Sequence, residues 1–220
     1  MKEPISRAGL ARQVEAVLAR AETSRLEVEK LCAQAREHHV SGVCLNTSRI
    51  ELAASLLEET GIKVIGLVGF PLGAADADSK RFETESAIDL GANEIEVVAN
   101  LGRLKDQDNR YVLRELRDVV EAADERPVRA VFEWSLLGPE EKRSACELIL
   151  DSGVQFLCIG TGYLPSPAPE EVASLRTMLG PKFGIKVAGV TETSLVTAIL
   201  EAGANLLGSE DIPSLISGIS

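Results

Sequence analysis

Short apolar segments alternate with helix-patterned ones along most of this chain, and that alternation restricts it to folds built on a parallel sheet. The extended segments are 42–46 (GVCLN), 63–70 (KVIGLVGF), 94–99 (EIEVVA), 129–134 (RAVFEW), 156–161 (FLCIGT), 184–189 (GIKVAG) and 205–209 (NLLGS). Between and after them, 50–59, 79–90, 108–124, 139–152, 169–179, 194–202 and 212–219 have helical spacing, several stopping at a glycine. Strands buried on both faces read as continuous apolar runs, because crossover helices cover the sheet on each side. A doubly wound sheet and a closed (β/α)8 barrel both satisfy the pattern. The first predicts a glycine-rich phosphate fingerprint after the opening strand, and none follows residues 42–46. Polar or special residues instead recur at the C-terminal ends of strands: Asn46, Asn100, Glu133, Thr161, Gly189 and Ser209. A barrel gathers those ends into one site, so a single (β/α)8 domain over 1–220 is the favoured reading. Residues 7–38 read as helical, with Thr23 or Ser24 and then Glu27 opening a second helix. An eighth strand is therefore required near 14–18, where the pattern is more helical than extended; the fold class is a barrel with an N-terminal helical extension and a degenerate first strand.

Composition narrows the function classes. A net charge of −11 argues against a nucleic-acid partner, which requires a basic footprint. No apolar run reaches the roughly 18–20 residues of a membrane span, and Met1 to Arg12 lacks the apolar centre of a secretory signal. The four cysteines are far apart, with no Cys-x-x-Cys pair. No metal site is expected from them, and reduced thiols in a cytoplasmic protein are the simpler reading.

Three groups of residues have chemical potential. Lys186 sits in an apolar strand, where an unpaired ammonium costs several kcal/mol. It is either a site lysine, as Schiff-base nucleophile or proton-transfer group, or a structural cation paired with an interior carboxylate. Glu94 and Glu96 are two apart in one strand and face one side, and Glu133 ends the next. Proton transfer and a structural ion pair with Lys186 are both open for these carboxylates. Gly160, Thr161 and Gly162, then Gly189, then Gly208 and Ser209 follow three successive strands, where backbone N–H groups can approach an anion. Glu192, Glu210 and Asp211 beside them count against a phosphate. Cys44 and Cys158 read as small core residues, and His38 and His39 as solvated helix-end residues.

With those residues assembled, the chain resembles the deoxyribose-phosphate aldolase family. The matching stretches are GVCLNTSRIELAASLL (42–57), the segment 63–105 containing GFPLG and GANEIEVVANLG, FLCIGTGY (156–163), GIKVAG (184–189) and EAGANLLGS (201–209). They cover nearly everything from about Val14 in the family's order. The resemblance implies a (β/α)8 barrel, a class I mechanism without metal or cofactor, and a monomer or homodimer. It also implies retro-aldol cleavage of 2-deoxyribose 5-phosphate to glyceraldehyde 3-phosphate and acetaldehyde through a lysine Schiff base, as in deoxyribonucleotide catabolism. In residue terms, the relay lysine falls on Lys186 and the relay aspartate on Glu96, while Asn46, Thr161, Gly162, Gly189, Gly208 and Ser209 become substrate-binding positions.

The Schiff-base lysine, however, falls on Cys158. The family's first-strand DHTLL is replaced by Glu15-Ala16-Val17-Leu18, and its late phosphate loops by Gly189-Val190-Thr191-Glu192 and Gly208-Ser209-Glu210-Asp211. Three expectations follow. Lys186 has taken over as nucleophile, with Glu96 or Glu133 as acid and base; or the barrel acts on a less phosphorylated small aldehyde or sugar, with Cys158 as nucleophile; or it is a catalytically silent binding or regulatory relative.

Overall fold

The computed structural model describes residues 6–217 and is a closed barrel of eight parallel strands. In chain order the elements are α1 (Arg7–Ala11), β1 (Val14–Leu18), α2 (Arg25–His38), β2 (Gly42–Asn46), α3 (Ile50–Leu56), β3 (Lys63–Val68), α4 (Ala77–Asp89), β4 (Glu94–Val98) and α5 (Leu101–Lys105). They continue with α6 (Asn109–Ala122), β5 (Val128–Phe132), α7 (Pro139–Ser152), β6 (Phe156–Ile159), α8 (Pro169–Leu179), β7 (Gly184–Ala188), α9 (Thr193–Glu201), β8 (Leu206–Ser209) and α10 (Ile212–Ser217). Each strand pairs with the next, and β1 closes the ring against β8 with Val14 opposite Leu207 and Glu15 opposite Gly208.

The helical reading of 14–18 gives way to a full strand. Its register with β2 and β8 buries Val14, Ala16 and Leu18 against the helices while Glu15 and Val17 turn inward. Alanine and leucine raise the local helix propensity, and closing the barrel overrides it. The N-terminal helical extension is the short α1. Ser24, not Thr23, caps α2: its hydroxyl accepts from the Glu27 N–H, and the Glu27 carboxylate accepts from the Ser24 N–H. The short α5 is an element that the pattern over 94–124 does not announce. Within the expected final helix 212–219, residues 218 and 219 lie outside the described residues.

Two regions of packing follow from the period of two along each strand. Outward residues such as Ile95, Val97, Ala130, Leu157, Ile185 and Val187 join helix side chains in one large core. The lumen holds two small apolar clusters, one around Cys44, Ile65 and Leu67 and one around Val98, Val131, Cys158 and Ala188; Phe70 packs against both. Below these clusters the lumen is charged. Among the described residues no helix is long and apolar enough to cross a membrane.

Candidate active site

Five inward-facing charged residues from four strands meet in the lumen, joined by Cys44 from β2. Lys186 on β7 places its Nζ 2.7 Å from a Glu15 carboxylate oxygen, 2.5 Å from Glu96 Oε1 and 3.2 Å from the Cys44 sulfur. Arg129 on β5 donates to Glu15 at 2.7 Å, to Glu96 at 3.2 Å and to Glu94. Glu94 also accepts from Lys63 at the strand's N-terminal end. Glu15, Glu94 and Glu96 are thus balanced by Arg129, Lys186 and Lys63, which is what lets such charge persist in the interior, since a buried ion left without its partner costs several kcal/mol. Arg129 also lies over the Phe156 ring, 5.1 Å from its centroid.

This geometry fixes protonation. Burial works to raise the Glu15 carboxyl, but the Lys186 and Arg129 charges outweigh it and bring it down to about 2. Burial likewise works against the Lys186 ammonium, yet Cys44, Glu15 and Glu96 outweigh it and hold Lys186 well above the usual lysine value. Because burial pushes the Cys44 thiol far up, Cys44 is protonated at neutral pH and the two carboxylates carry the effect. Lys186 is accordingly an ammonium with no lone pair. Cys158, opposite Lys186 in the β6–β7 register and 1% exposed, is pushed well above the ordinary thiol range, chiefly by burial. Glu133 has partners other than Lys186: one carboxylate oxygen accepts from the Thr161 N–H at 3.0 Å and its hydroxyl at 2.7 Å, and Ser135 donates to the other at 3.3 Å.

Above this layer the C-terminal mouth contains a cavity of about 430 Å³ between the ends of β1, β6, β7 and β8. Thr161, Gly162, Gly189, Gly208 and Ser209 line it, together with Arg20, Tyr163, Thr191, Glu210 and Asp211. Lys186, Glu96, Cys158 and Glu133 do not, and Asn46 is committed to the Ala19 carbonyl at 3.0 Å. Gly208 lies between the cavity and Lys186: a Cβ there would stand 3.1 Å from both Lys186 Cε and the Val17 side chain. The loops after β6 and β7 meet closely at two glycines, where a Cβ on Gly189, at φ +74°, would stand 2.7 Å from Gly162 Cα, and Ser166 donates its hydroxyl to the Gly189 carbonyl at 2.7 Å. Tyr163 reaches across the mouth to the Ala19 carbonyl at 3.4 Å and packs its ring against Phe70.

Residues 13–161 match the family model described as DeoC/LacD family aldolase. The deoxyribose-phosphate aldolase of Clostridium perfringens is 38% identical over 212 residues, covering 95% of each chain. The chain belongs to the DeoC/LacD aldolase family. Among solved structures, an aldolase named QR15 superposes with a TM-score of 0.87 at 26% identity, over 94% of this chain and 93% of its own. A putative deoxyribose-phosphate aldolase from Coccidioides immitis shares the fold, with a TM-score of 0.92 at 23% identity over 99% and 91% of the two chains. Aldolase chemistry on a small molecule is therefore the background of the family site.

Two members of the charged layer escaped the sequence reading as partners of Lys186. Arg129 carries the same signal that singled out the lysine, a cation inside an apolar strand (VRAVF). Glu15 was obscured because its strand read as a helix, where an exposed glutamate is unremarkable.

Proposed function

We propose that this chain is a DeoC/LacD-family barrel that binds a small polyhydroxy aldehyde or sugar at its mouth without forming the family's lysine iminium. The observation that carries the reading is the pair of strand-facing residues Cys158 and Lys186. A thiol has no nitrogen to form an iminium, and the neighbouring amine is held as an ammonium between Glu15 and Glu96. Addition to a carbonyl requires the neutral amine. The ligand class follows from the cavity. Its hydroxyls and glycine-lined backbone suit a polyol, while Glu210 and Asp211 disfavour a phosphate dianion. The Asp211 carboxylate, held below its ordinary range by its bonds to Ser214, already accepts from the Ser214 N–H and so occupies the start of α10. We place the protein in the cytoplasm, as a monomer or homodimer, where its four buried thiols would stay reduced.

A second reading retains cleavage of deoxyribose phosphate, the substrate named for the relatives, with the iminium on Lys186. The absence of a side chain at Gly208, between Lys186 Cε and the cavity, favours it. Borohydride trapping with acetaldehyde near pH 7, read by peptide mass spectrometry, separates the two. The first reading expects no reduced adduct on the wild-type chain and an adduct at position 158 in Cys158→Lys. An adduct on Lys186 establishes the second instead.

A further inference from the structure

At the opposite, N-terminal end of the barrel lies a cavity of about 550 Å³ whose lining contains no acidic residue. Two segments bring basic side chains to it: Arg12 from the end of α1, and Arg36 and His39 from the last turn and cap of α2. In a chain with 34 acidic and 23 basic residues, a surface arginine readily finds a carboxylate. Arg25, Arg81, Arg114 and Arg143 each do so. The guanidinium groups of Arg12 and Arg36 make no hydrogen bond or ion pair with a described residue, as is also the case for Arg49 and Arg110, and the acids in the lining of the adjoining cavity are Glu58 and Glu59. The attraction of a helix C-terminus for cations accounts for Arg36. It does not account for Arg12, which comes from α1, facing the same space.

The remaining polar groups are already used within the fold. The Ser41 hydroxyl donates to the Val14 carbonyl at 2.7 Å, and the Thr60 hydroxyl donates to Leu57 at 2.6 Å while accepting from Ile62. The carbonyls of Ala35 and Arg36 near the end of α2 are likewise taken, by the N–H groups of His39 and Val40. His39 holds a left-handed conformation (φ 54°), a position more often given to glycine or asparagine. What is left to meet a ligand is two guanidinium forks and an imidazole. Planar guanidinium groups bind phosphoryl oxygens in bidentate fashion.

We infer that this cavity is a second binding site, for a phosphoryl dianion, separate from the mouth and independent of what the mouth binds. Its volume leaves room beyond the phosphoryl head for a small organic group, so a phosphate monoester fits better than free phosphate.

The test is titration of the whole chain at low ionic strength with inorganic phosphate and, separately, with glycerol phosphate. Calorimetry gives the affinity, and amide shifts of His39, Val40 and Gly61 give the location. The expected result is saturable binding of both, tighter for the ester, with shifts at those amides. Arg12→Gln and Arg36→Gln should each weaken binding by about tenfold, and Arg36→Lys should fall between wild type and Arg36→Gln, since the charge remains and the fork is lost. Circular dichroism checks that each variant folds. Absence of saturable binding, or binding that Arg12→Gln and Arg36→Gln leave unchanged, overturns the inference.

Discussion

Replacing Lys186 with methionine keeps the side chain's length and apolar stem and removes only its charge, so it isolates what the ammonium does in the lumen. In the wild-type protein the Glu15 carboxyl is brought from its ordinary 4.5 to about 2, a shift worth roughly 3 kcal/mol in favour of the charged form. In Lys186→Met, Glu15, Glu94 and Glu96 keep Arg129 and Lys63, and one negative charge stays unbalanced inside the barrel. Removing one partner from a buried pair costs about 3–5 kcal/mol. The variant should therefore lose about that much stability at pH 7, read from urea unfolding by tryptophan fluorescence, because Trp134 is buried in the core.

The pH dependence gives the sharper signature. In the wild type, a depressed Glu15 contributes stability that is present above its unfolded value and is lost as the pH falls towards about 2. Without the ammonium, burial dominates and a lumen carboxyl rises above its unfolded value. The folded state then binds the proton more tightly, and acidification from pH 7 towards 5 should narrow the gap between variant and wild type. A loss below about 1 kcal/mol at pH 7, the size of a surface pair, or a gap that widens on acidification, would refute the charge-balance reasoning.

Other expectations follow from the same contacts. Cys158, 1% exposed and with its thiol pushed far up by burial, should resist iodoacetamide near pH 7 in the folded protein and react fully in urea; rapid native labelling at that residue contradicts its placement. Gly189→Ala puts a Cβ against Gly162 at a left-handed φ, and should cost about 1–2 kcal/mol in thermal unfolding while weakening polyol binding at the mouth. Lys80 Nζ is fully buried between Glu115, at 2.7 Å, and the Val98 carbonyl, and Glu115 also accepts from the Asn100 N–H. Glu115→Leu should therefore lower stability by about 3–5 kcal/mol, with an unchanged midpoint arguing against a buried pair.

Much of the architecture was legible because strand and helix periods differ and the glycine stops mark helix ends. The β1 strand was not, since VEAVL has both strand alternation and helix-favouring residues. Only closure of the ring, with Glu15 opposite both Gly42 and Gly208, decides between them. The pairing of Glu94 and Glu96 on one face followed from a period of two, whereas their partners could not be named. Arg129 lies 33 residues from Glu96 and 114 from Glu15, a proximity created by the barrel rather than by the chain. Glu133 ends its strand as expected, but the Thr161 contacts that engage its carboxylate depend on the conformation of the loop after β6. The five mouth residues Thr161, Gly162, Gly189, Gly208 and Ser209 were readable because strand ends in a barrel share one rim.

Locked as an ammonium between two carboxylates, Lys186 is unavailable as a nucleophile. Its protonation can be followed directly by the nitrogen-15 shift of its Nζ, assigned by comparison with Lys186→Met. This signal should stay in the ammonium range throughout the interval around pH 10.4 in which an ordinary lysine titrates. An Nζ that releases its proton near neutral pH would contradict this and restore Lys186 as the Schiff-base residue.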